Sequence, residues 1–94
     1  MNFQEIKLFL DLAENRNFNQ TAIQNHMSPS TLSRQIQKME AELKQPLFLR
    51  DNRQVSLTEA GEIFLHYALS TWQRWQQLKM QLQPDGQELS GELK

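Results

Sequence analysis

Between positions 28 and 38 the chain gathers Ser28, Pro29, Ser30, Thr31, Ser33, Arg34, Gln37 and Lys38 around an apolar spacing of Leu32, Ile36 and Met39. Serine and threonine hydroxyls donate to phosphate oxygens or touch base edges, and the Thr31 methyl suits the thymine methyl. The Arg34 guanidinium matches the paired O6 and N7 acceptors of guanine. Arg50 and Arg53 bracket a second polar stretch, where they can enter a minor groove or grip the phosphates beside it. These residue types describe contact with a DNA duplex. The same groups also suit a solvated helix face and an ordinary charged loop.

Chemistry of other kinds has little to work with. His26 and His66 are the only histidines, and neither has a second histidine or a paired carboxylate at metal-ligand spacing. The chain has no cysteine, which excludes disulfides, thiolate zinc sites and a cysteine nucleophile. No GxSxG, P-loop or HExxH pattern is present. We therefore expect no catalytic residue, no metal and no cofactor in this segment, and no enzyme.

The elements that must position the polar groups follow from periodicity. Phe3, Ile6, Phe9, Leu10 and Ala13, widened by Leu8 and Leu12, form the stripe of a first helix that fades near Asn15. Asn17 is the expected N-cap of a short second helix, with Gln20 at capping-box spacing and Phe18, Ala22 and Ile23 available for its inner side. Ser28 as N-cap and Pro29 at the first helical position open a third helix, buried along Leu32, Ile36, Met39 and Leu43. After Pro46, Leu47–Leu49 and Val55–Leu57 flank a polar tip and predict a small hairpin. Thr58 caps a last helix that runs to about Leu82, before Pro84-Asp85-Gly86 ends it. Helix, turn, helix and hairpin make a mainly α winged helix-turn-helix, three helices plus a short β-hairpin wing, followed by a long linker helix.

Charge and size agree with that layout. Residues 16–53 hold six Lys and Arg against three Asp and Glu, a net of +3, within a chain of 94 residues whose total is −1. A basic middle between acidic flanks points to a polyanion for the middle. The longest apolar runs are three or four residues, against the roughly 20 a membrane span needs. The first five residues lack the basic and apolar regions of a signal peptide, so a cytoplasmic protein is expected. On the long helix, Phe64, Leu65, Ala68, Trp72, Trp75, Leu78 and Leu82 exceed what one small domain covers, and we expect them to form a dimerisation seam.

The run from Ser28 to Ile36, together with Pro46-Leu47-Phe48, Arg50-Asp51-Asn52-Arg53 and Leu57-Thr58-Glu59-Ala60-Gly61, resembles the N-terminal domain of LysR-type transcriptional regulators. The resemblance runs over nearly the whole chain, and its wording SPSTLSRQ and LFLRDNR is most similar to a regulator of isoleucine–valine biosynthesis. It implies a DNA-binding activator with Pro29 to Arg34 and Lys38 facing the major groove and Arg53 as the wing contact. It also implies a homodimer on a roughly palindromic operator, a higher oligomer at full length, and a C-terminal domain, lacking here, that binds a small-molecule inducer. The expected division is 1–57 for the winged helix-turn-helix, 58–83 for the linker helix and 84–94 for a hinge to that domain. Two positions depart from the family: Lys44 stands where a glycine is usual, and Asn25 where an apolar residue is usual. The competing expectation is a winged-helix assembly module without specific DNA binding.

Overall fold

The computed structural model describes residues 1–51 and 54–83. The elements run α1 (Phe3–Asn15), α2 (Phe18–Gln24), α3 (Pro29–Leu43), β1 (Phe48–Arg50), β2 (Val55–Leu57) and α4 (Glu59–Leu82). The strands pair antiparallel, with Phe48 opposite Leu57, Leu49 opposite Ser56 and Arg50 opposite Val55. The predicted hinge at 84–94 lies outside the described residues.

Each helix starts on a side-chain oxygen that satisfies an otherwise orphaned N–H. Asn2 accepts from the Glu5 amide at 2.9 Å and Glu5 accepts from the Asn2 amide at 3.2 Å, a complete capping box for α1. Asn17 accepts from the Gln20 amide at 2.8 Å, Ser28 from the Thr31 amide at 3.1 Å, and Thr58 from the Gly61 amide at 2.9 Å. α1 and α3 end on non-glycine residues in the left-handed region, Arg16 and Lys44, and His26, one residue past the Asn25 cap of α2, shares that conformation, each at φ 58°. At Lys44 the glycine-type ending is therefore kept without the glycine.

The core gathers on Phe9. Its ring lies 4.7 Å from Phe64, edge to face, and 5.2 Å from Phe48, so α1, the hairpin and α4 meet at one aromatic cluster. Leu8, Phe9, Leu12, Leu32, Ile36 and Met39 are wholly buried around it. At about 1.5–3 kcal/mol for each such large side chain, these contacts dominate the favourable side of folding. The inner face of α1 is rotated relative to expectation, because α1 lies between α3 and α4 and is covered on both sides. Leu8 and Leu12 sit at its centre, while Phe3 lies at the edge and stacks on Trp75 with ring centroids 4.8 Å apart. On α2 the inward places fall to Thr21 and Ala22, and Ile23 is 70% exposed rather than packed inside.

α4 begins inside this core and ends beyond it. Gly61 faces the start of the hairpin, where a Cβ would overlap the Leu47 carbonyl oxygen and crowd a Leu57 methyl. Its 24 residues extend roughly 36 Å at 1.5 Å per residue, longer than the body they pack on. The molecule accordingly measures 55 × 26 × 19 Å.

Candidate nucleic-acid interface

α3 presents its polar face because its apolar one is fixed. Leu32, Ile36 and Met39 point into the core, so Ser30, Arg34, Gln37 and Lys38 fall on the exposed side. At the amino end of α3 the hydroxyls form a local network: Ser28 Oγ donates to Thr31 Oγ1 at 2.9 Å and lies 3.1 Å from Ser30 Oγ. Pro29 occupies the first turn, as expected. Arg34 is exposed and makes no hydrogen bond or ion pair among the described residues.

The other basic residues are held differently. Arg50 Nη1 donates to Ser33 Oγ at 3.1 Å, and its guanidinium lies 4.7 Å over the centre of the Phe18 ring. One arginine thus touches both helices of the helix-turn-helix and brings the wing against them. Lys38 does not project freely from α3: its Nζ lies 3.3 Å from Glu5 Oε2 on α1. Arg53 lies outside the described residues.

The hairpin is fastened to α3 and to the start of α4 as well. Glu40 Oε2 accepts the Leu47 and Phe48 amides at 2.8 and 3.2 Å. Thr58 Oγ1 donates to the Pro46 carbonyl at 2.6 Å, and the Thr58 amide donates to the Leu47 carbonyl at 3.0 Å. Glu5 and Glu40, the carboxylates that organise this face, were not singled out by sequence reasoning. The Asn-x-x-Glu pattern at Asn2–Glu5 was the signal available for the first. Asn25, the second departure, is accounted for by a polar cluster between α1 and α2. Its Nδ2 donates to Asp11 Oδ2 at 3.1 Å and to the Thr21 carbonyl at 2.9 Å, and its Oδ1 accepts from Lys7 Nζ at 3.2 Å.

On α4 the seven residues expected at a dimer seam divide. Phe64 and Ala68 are buried in the chain's own core, and Leu65 packs against it, because α4 crosses α1 at that height. Phe64 and Ala68 therefore offer no surface to a partner, a correction to the expected seam. Trp72 is half-buried beside Leu10, Ala13 and Leu69, and Trp75 is half-buried under Phe3, with Lys79 Nζ 5.8 Å from its ring centre. Leu78 and Leu82 are exposed, joined by Ile63, Tyr67 and Met80, of which Ile63 and Met80 escaped the sequence reading.

Residues 3–62 match the family model described as bacterial regulatory helix-turn-helix protein, lysR family. The chain is 57% identical over 94 residues to the HTH-type transcriptional activator IlvY of Haemophilus influenzae, covering all of this chain and 32% of that protein. It is 53% identical over 93 residues to the HTH-type transcriptional regulator IlvY of Escherichia coli (strain K12), covering 99% of this chain and 31% of the relative. The chain thus spans about a third of the length of these relatives. Among solved structures, the BenM DNA-binding domain in complex with benA site 1 DNA superposes with a TM-score of 0.78 at 31% identity, covering 83% of this chain and 88% of that one. The CbnR DNA-binding domain–DNA complex superposes at 0.79 and 33% identity, over 84% of this chain and 91% of that one. The fold is therefore that of the winged helix-turn-helix domains in these regulators, and the chain belongs to the LysR family.

Proposed function

We propose that this chain is the DNA-binding and dimerisation segment of a cytoplasmic bacterial transcriptional regulator. It docks α3 in the major groove of a duplex operator, with the hairpin wing on the neighbouring backbone or minor groove. The observation that carries this reading is the outward Arg34, without a partner among the described residues, on the Ser- and Thr-rich face of α3, beside a wing that Arg50 and Glu40 hold to the same helix. Ser28, Pro29, Ser30, Thr31, Ser33, Gln37 and Arg53 complete the proposed contact set. Two copies joined through the exposed end of α4 would present two such helices to a roughly palindromic site. The family likeness to IlvY supports target genes of isoleucine–valine biosynthesis, with a small-molecule inducer received by the C-terminal domain of the whole protein.

Arg34→Ala tests the docking. A guanidinium bidentate to guanine is worth about 1–3 kcal/mol of discrimination, so the variant loses that much on the operator and less on random duplex. Its fold stays intact, since the side chain points away from Leu32, Ile36 and Met39. Equal loss on both duplexes reduces Arg34 to a phosphate anchor, and no loss on either removes α3 from the groove. A flat dependence of binding on salt favours the assembly-module reading, because counterion release gives duplex binding a steep negative slope.

A further inference from the structure

We infer that Glu5 is a specificity determinant that acts through Lys38, withholding that ammonium from the DNA backbone. The inference rests on the reading that α3 faces a duplex. Lys38 stands one helical turn beyond Arg34, on the same side of α3. Left to itself it would add a phosphate contact to whatever Arg34 reads. Its Nζ instead meets Glu5 Oε2 at 3.3 Å, although the lysine side chain is 62% exposed.

The direction of that choice follows from the carboxylate. Glu5 is 2% exposed and sits in the first turn of α1, with its backbone amide on Asn2 and its Oε1 accepting the Asn2 amide. The Met1 amino group lies 3.8 Å from the same Oε1, so that among the described residues Lys38 is the cation on Oε2. A carboxylate fixed this way cannot turn outward to find water, and a buried charge stripped of its partner is costly. A phosphate that recruits Lys38 must therefore compete with Glu5. Sequence-independent affinity comes mostly from such lysine–phosphate contacts. Holding Lys38 back lowers that background and leaves discrimination to Arg34 and the hydroxyls of α3.

Glu5→Gln tests this, because glutamine keeps the capping-box geometry and removes the charge. On a short mixed-sequence duplex, the folded variant of this 94-residue chain should bind more tightly, with a salt slope steeper by about 0.9. Between about 50 and about 200 mM salt it then loses roughly 3.5-fold more affinity than the unchanged chain. Adding Lys38→Ala to Glu5→Gln should return the slope to its original value, which separates a freed lysine from the general effect of one less negative charge. Lys38→Ala alone should leave the slope where it was. An unchanged slope in Glu5→Gln, a double variant as steep as the single one, or a shallower slope in Lys38→Ala alone overturns the inference. Should Glu5→Gln fail to fold, Lys38→Ala alone decides the matter in the same way. Failure of the unchanged chain to bind any duplex would instead overturn the DNA-binding reading beneath it.

Discussion

Replacing Lys44 with glycine should stabilise the fold. Lys44 ends α3 at φ 58° and ψ 33°, with its amide donating to the Ala41 carbonyl and the Gln45 amide donating back to Glu40 at 3.1 Å. That backbone is the left-handed helix ending, in which an L side chain costs about 1–2 kcal/mol through its Cβ. The Lys44 side chain is exposed and makes no hydrogen bond or ion pair among the described residues, so nothing is lost with it. Glycine removes the strain but frees the unfolded chain, which costs about 0.4–1 kcal/mol. The net gain is about 0.8 kcal/mol, or roughly 3–6 °C in Tm for a domain of this size. Thermal unfolding followed by circular dichroism, at matched protein concentration, reads it directly. Lys44→Ala is the control, since alanine keeps the Cβ and should give no comparable rise. An equal rise in both variants would assign the penalty to the lysine charge, and no rise in the glycine variant would refute the strain argument outright.

Two other outcomes test the packing and the assembly. Gly61→Ala should destabilise by about 1–3 kcal/mol, read as a fall in denaturation midpoint, because the new methyl meets the Leu47 carbonyl, which the hairpin cannot easily move. Leu78→Ala with Leu82→Ala should leave unfolding of the monomer nearly unchanged, as both side chains are exposed, yet shift sedimentation toward monomer and weaken full-site binding more than half-site binding. A variant still dimeric at micromolar concentration would place the seam elsewhere.

What could be read in advance was local. Ser28-Pro29, Asn17 and Thr58 announce helix starts because a cap is satisfied within three residues of itself. The hairpin likewise follows from two short apolar runs and a polar tip. What escaped was set by how helices cross. Phe64 and Leu78 look equally apolar along α4, but α1 lies over one and stops short of the other. Ile23 looks inward by composition, while the turn of α2 gives its place to Thr21. Lys38 matched its expected position in the helix, and only the depth of Glu5 on a neighbouring element redirected its charge. Periodicity locates a residue on its own helix, and a partner distant in the chain decides what its side chain meets.

The attachment of the wing has a consequence for how such a domain diversifies. Glu40 holds the hairpin by the amides of Leu47 and Phe48, and Thr58 holds it by the carbonyls of Pro46 and Leu47. These are main-chain groups, present in any sequence that avoids proline at 47 and 48. The spacing between α3 and the wing is thus set where the Glu40 and Thr58 side chains grip the hairpin's backbone, like the gap of a caliper, whatever side chains the tip carries. On the docking proposed above, drift at the tip alters which bases or phosphates are felt there and leaves their distance from the α3 contacts untouched. New operators can then be acquired one contact at a time, on an unchanged ruler.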